Sequence, residues 1–159
     1  MKPRIVSTET RKLVGQRITM SLANDRTFEL WKNFMPRRKE IQHAVGTDLI
    51  SMQLLRPSYF DKFNPTEEFE KWAAVEVSNL DSIPTGMETF ILPAGLYAVF
   101  IHKGDTSTAK VTFTYIFETW LPNSGYLIDD RPHFELLGKK YKNNNPESEE
   151  EVWIPVRPK

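Results

Sequence analysis

The chain has 159 residues with 21 basic and 21 acidic side chains, so its formal charge is zero and it has no field with which to hold a polyanion such as duplex nucleic acid. It contains no cysteine, which excludes disulfides, thiolate metal sites, iron–sulfur clusters and cysteine nucleophiles together. An apolar content of 40%, with four Trp, five Tyr and ten Phe, can close a core, and seven Gly with eleven Pro are too few for a fibrous or low-complexity chain.

The segment Met1–Thr10 has no apolar stretch of the kind that directs secretion. The longest apolar run, Phe90 to Ile101, is broken by Pro93 and Gly95 and falls short of the roughly 20 residues a membrane span needs. A cytoplasmic chain with no membrane partner is expected. From Gln16 onward, Lys12–Leu22 alternates, with Ile18, Met20 and Leu22 on one side, which predicts a strand. Asn24 and Asp25 are good helix-capping types, and a helix is expected after them. It carries Phe28, Trp31 and Met35 at helical spacing, and also Leu30 and Phe34, with Pro36 ending or kinking it. Asp48–Arg56, Phe69–Ser78 and Thr89–Leu92 read as three further strands, with an aromatic-bearing loop over Pro57–Pro65.

Gly95 begins the same order again, with a strand over Tyr97–His102. Asp105–Leu121 supports two periods. Val111, Phe113, Tyr115 and Phe117 alternate as in a strand, whereas Ala109, Phe113, Ile116, Phe117 and Trp120 form a helical stripe. The length between Gly104 and Pro122 and the capping types Asp105, Thr106 and Ser107 decide for a helix. Pro122–Gly125 is a turn, His133–Leu137 and Glu151–Val156 are strands, and the polar stretch Gly138–Glu150 is a loop. The expected class is therefore α+β. One domain spans 1–159, built from two strand–helix–strand–strand modules, about 12–92 and 95–156, that repeat in pattern rather than in sequence.

No metal site or cofactor is expected. His43, His102 and His133 are scattered, and there is neither a Gly-x-Ser-x-Gly elbow nor a glycine-rich phosphate loop. Arg37-Arg38-Lys39 and the acidic run Glu147, Glu149, Glu150, Glu151 read as solvated surface. Trp31, Trp72, Trp120 and Trp153 fall on separate elements, as core anchors do. Glu135 is different. It stands between Phe134 and Leu136 in a short apolar strand, and alternation turns it to the opposite face from both. On a wet face it is ordinary. In a cleft it is a carboxylate among aromatics, costly when buried alone and satisfied by a flat organic cation that also stacks on rings.

The stretch Gly95-Leu96-Tyr97-Ala98-Val99-Phe100-Ile101-His102-Lys103-Gly104 resembles the second module of GyrI-like effector-binding domains, which are attached to many AraC-type and some MerR-type multidrug regulators. The likeness continues through Trp120–Tyr126, Arg131-Pro132-His133-Phe134-Glu135 and Glu151–Val156. It implies two modules sharing one antiparallel sheet, with two helices flanking a cleft. It also implies non-catalytic binding of hydrophobic, often cationic, aromatic molecules, as a sensor or sequestering protein. The pocket glutamate would be Glu135, with aromatic walls from Trp72, Tyr97 and Trp153. With the strand pattern starting near residue 12, no helix-turn-helix precedes it, so direct nucleic-acid contact is not expected. A DNA-binding regulator or gyrase would be its protein partner. The alternative function is a small-molecule hydrolase with Glu135 as general base and Tyr97 as donor. Leu137 stands where the family often has Tyr.

Overall fold

The computed structural model describes residues 1–159. The strands are β1 (Arg4–Thr8), β2 (Arg11–Met20), β3 (Leu49–Leu54), β4 (Phe69–Val77), β5 (Glu88–Leu92), β6 (Gly95–Lys103), β7 (Tyr126–Ile128), β8 (His133–Leu137) and β9 (Glu149–Pro158). All nine join one antiparallel sheet in the order β1-β6-β9-β8-β3-β4-β2-β5, with β7 beside the end of β9. The order is symmetric about the β3–β8 pair: β3, β4, β2 on one side answer to β8, β9, β6 on the other. The expected α+β architecture is present. The edge strands β1 and β5 extend it, and β1 and β7 are elements the periodicity did not reveal.

Helix α1 (Thr27–Phe34) lies over β2 and β4 and buries Leu30 and Phe34 against Val14, Ala73 and Val75. Of its other stripe, Phe28 is 80% exposed and Met35 is exposed, whereas Trp31 is half-buried and edge-on to Phe34. Asp25 accepts from the Thr27 amide at 2.9 Å. Pro36, which has no amide proton to continue the α ladder, stands where the chain tightens into a 3-10 segment over Met35–Glu40. The second helix, α2 (Thr106–Thr114), is capped by the Asp105 carboxylate on the Ser107 amide. It runs on into a π-helical turn over Tyr115–Trp120. Ile116, Phe113, Phe117 and Trp120 pack on Ala98, Phe100, Val152 and Ile154, so the helical stripe prevailed over the alternation. Trp120 packs edge-on to Phe100 and stacks on Tyr126 at the helix end.

Both helices cover the same face. The other face holds Leu13, Ile50, Met52, Trp72, Leu92, Tyr97, Val99, Phe134 and Trp153, none more than 5% exposed. No helix covers them, so the sheet curls around them. The link from β5, at one edge, to β6, next to the opposite edge strand β1, is only Pro93 and Ala94, which draws the two ends of the strand order together. Each such side chain contributes about 1.5–3 kcal/mol by leaving water. Gly95, at φ 156°, leaves room for the Arg131 guanidinium, which a Cβ would strike. Arg131 donates to the Val156 carbonyl at 3.1 Å and pairs with Asp129 at 2.7 Å, locking the turn before β8. The acidic run belongs partly to β9 rather than to a loop. Glu149 faces Lys140 and Lys103, Glu150 meets His102, and Glu151 pairs with Arg4. No helix is long and apolar enough to cross a membrane.

Candidate functional site

Strand register places two polar rows on the helix-covered face, between the α1 and α2 clusters. In the first, Gln16 on β2 is opposite Ala73 on β4, Ala73 is opposite Ser51 on β3, and Ser51 is opposite Glu135 on β8. In the second, Lys71 on β4 is opposite Gln53 on β3, which is opposite His133 on β8. Glu135 then faces Val152 on β9, part of the cluster beneath α2. Elsewhere this face is largely Val, Ala, Ile and Phe. The band of Gln16, Ser51, Glu135, Lys71, Gln53 and His133 crosses it between the apolar clusters packed under the two helices.

Glu135 is half-buried, and no Lys, Arg or His nitrogen lies within 4.0 Å of its carboxylate. Burial, the dominant influence, pushes its carboxyl above the ordinary range. Lys71 pulls it down, Glu150 pushes it up, and the Gln53 amide and His102 pull down more weakly. Lys71, also half-buried, has no carboxylate within the same distance. His133 is 4% exposed, and its Nε2 is buried without a hydrogen-bond partner. Burial first, then Arg131, pushes its imidazole down to about 3, so it is neutral. The Gln16 Oε1 is a second orphan in the band. A buried polar atom left unpaired costs about 1–3 kcal/mol, and the band holds two of the molecule's four, the others being Trp72 Nε1 on the opposite face and Arg131 Nη1 at the turn before β8.

Aromatic rings cover one end of the band. The short helical turn Pro57–Phe60 brings Phe60 over His133, with centroids 5.2 Å apart. Phe60 stacks on Phe117 of the π-helical turn at 4.6 Å and 21°. Tyr59 meets Phe60 and Phe69 edge-on. A loop from the first half and a helix end from the second thus meet above β8. At the other flank, His102 bridges Glu150 and Thr108, each at 3.0 Å, and ties the start of α2 to the sheet. Two surface hollows lie elsewhere. One, of about 480 Å³, is lined by Met35, Pro36, Arg38, Lys39, Ile41 and neighbours, and one of about 260 Å³ lies around Leu54, Arg56 and Phe90.

Trp72, Tyr97 and Trp153 are together, but not with Glu135. They sit on the opposite face, with Tyr97 edge-on to Phe134 and Trp153, and Phe134 stacked on Trp153 at 5.1 Å. The reason is register. Trp153 is paired with Phe134, so it shares the face that Glu135 avoids. These rings pack behind β8, on the far side of the sheet from the band. The Tyr97 hydroxyl donates to the Pro132 carbonyl at 3.1 Å, and burial pushes it up to about 12. Glu135 and Tyr97 therefore do not form an acid–base pair.

Sequence reasoning passed over His133, Lys71, Gln53, Phe60 and Phe117 as site residues. A signal existed for two of them. His133 is two residues from Glu135 and shares its face by the same alternation, and Lys71 is a charge in phase with Ala73, Val75 and Val77. Phe60 carried none, because a loop ring declares no direction.

The chain matches the GyrI-like small molecule binding domain over residues 1–157. It is 29% identical over 161 residues to the transcriptional regulator BrlR of Pseudomonas aeruginosa, covering 98% of this chain and 56% of that protein. It is 33% identical over 99 residues to a DNA gyrase inhibitor of Erwinia billingiae, covering 58% of this chain and 61% of that one. Among solved structures it is similar to SAV2435 bound to tetraphenylphosphonium, with a TM-score of 0.67, 16% identity and coverage of 99% and 94% of the two chains. The chain thus spans less than two thirds of the length of these two curated relatives. With sequence, sheet order and helix placement in agreement, the chain belongs to the family of GyrI-like small molecule binding domains.

Proposed function

We propose that this chain binds hydrophobic aromatic cations over the polar band, with Glu135 as the counter-charge and Phe60 and Phe117 as the stacking walls. The observation that carries the reading is the half-buried Glu135 carboxylate, held on the helix-covered face without an ion-pair partner within 4.0 Å. A cation placed there supplies the missing charge, and its rings gain stacking worth about 0.5–1.5 kcal/mol per aromatic contact. The similar fold of SAV2435, bound to tetraphenylphosphonium, supports the ligand class. The Phe60–Phe117 stack fills the space above His133, so entry of a ligand swings the Pro57–Phe60 turn outward. That displacement is what a partner would sense, and likeness over nearly the whole chain to part of a transcriptional regulator makes a DNA-binding protein the partner to seek. The chain acts as a sensor or sequestering module. The test is a calorimetric titration with tetraphenylphosphonium and with neutral triphenylphosphine oxide. Selective binding of the cation, weakened by Phe117→Ala, supports the reading; equal affinity for both compounds refutes it.

A further inference from the structure

The band carries two charges of opposite sign, Glu135 and Lys71, each half-buried and each without an ion-pair partner within 4.0 Å. Their placement explains why they do not satisfy each other. Lys71 is on β4 and Glu135 on β8, with β3 between, and Glu135 lies one row further along the strands. Two strand spacings of ~4.8 Å and two residues of ~3.3 Å put their backbones roughly 12 Å apart. Between them lie uncharged Ser51, Gln53 and Ala73 and neutral His133, whose Nε2 has no partner. A pure cation would satisfy Glu135 and leave Lys71 facing a like charge across a part-buried surface. A ligand with an anionic arm would meet both ends.

We infer that the preferred ligand is dipolar: a flat cationic ring system bearing a carboxylate or similar anion, with its cationic part against Glu135 and its anionic arm on Lys71. This rests on the cation-binding reading of the same band and adds the second pole. Lys71 thereby becomes a specificity residue, selecting zwitterions over simple lipophilic cations. Gln53, between the two, lies along the path of the ligand's backbone rather than at either charge.

Rhodamine B and its ethyl ester provide the test, because they share one cationic ring system and differ in whether the carboxylate is free. Dissociation constants are measured by fluorescence anisotropy with the full chain and with Lys71→Met, Lys71→Arg and Glu135→Gln. The chain is expected to bind the free acid about tenfold more tightly than the ester, the size of one hydrogen bond to a charged group. Lys71→Met should erase that preference by weakening the acid alone, and Lys71→Arg should retain it. Glu135→Gln should weaken both dyes. If the ester binds as tightly as the acid, or if the ratio survives Lys71→Met, the dipolar proposal is overturned while cation binding stands. If neither dye responds to Glu135→Gln, the cation reading fails, and this proposal with it.

Discussion

Replacing Glu135 by Gln keeps the shape of the side chain and removes its charge. Because the carboxylate is half-buried and Lys71, the strongest positive influence on it, forms no ion pair with it, a cation bound as proposed would be its main electrostatic partner. For a cation centred ~6 Å away at an effective dielectric of about 20, Coulomb's law gives about 3 kcal/mol, or a loss of roughly 100-fold in affinity. Stacking on Phe60 and Phe117 is left intact, so a neutral analogue should bind both proteins equally. Free-protein stability should move the other way. Since burial raises this carboxyl in the folded state, the folded chain holds its proton to a higher pH than the unfolded chain does. Stability is thus lost as pH rises from the ordinary carboxyl range through the raised value, and Glu135→Gln abolishes that loss. The assays are tetraphenylphosphonium titration at neutral pH and urea unfolding at a series of pH values. Affinity for the cation within threefold of the parent, or an unchanged pH profile of stability, would show that Glu135 is not an uncompensated charge.

Three other outcomes follow from the same geometry. His133→Leu should flatten the acid limb of stability. With its imidazole pushed down to about 3 by burial, the parent loses about 1.4 kcal/mol per pH unit as pH falls from ~6.5 toward that value, a slope readable from urea midpoints. In Gly15→Ala the new methyl would run into the Ala73 carbonyl and lie 2.7 Å from the Ala74 Cα, prying β2 from β4. A loss of about 3 kcal/mol or more in chemical denaturation, or insoluble expression, is expected. Phe28→Glu, on the outer stripe of α1, should change stability by no more than about 0.5 kcal/mol, and a larger loss in thermal unfolding would mean that the ring is covered.

The sequence by itself determined the class of fold, the two modules' pattern and which side of its strand Glu135 would take. Those features are local: a period of two or of nearly four, a capping Asp105, a proline at 36, a carboxylate flanked by apolar neighbours. Asp105–Leu121 shows the limit of such reasoning, since both periods fit and only length and capping decided for the helix that is observed. What the tertiary structure decided is which residues share a face across strands distant in sequence. Trp72, Tyr97 and Trp153 have the composition of pocket walls, yet register pairs Trp153 with Phe134 and buries all three behind the sheet. Lys71, Gln53 and His133 come into one row only through the pairing of β4 with β3 and of β3 with β8. Alternation gives each strand two faces but not the offset between strands, and a slip of one residue would exchange every face. That offset is set by long-range packing, so the site had to be read from the assembled sheet.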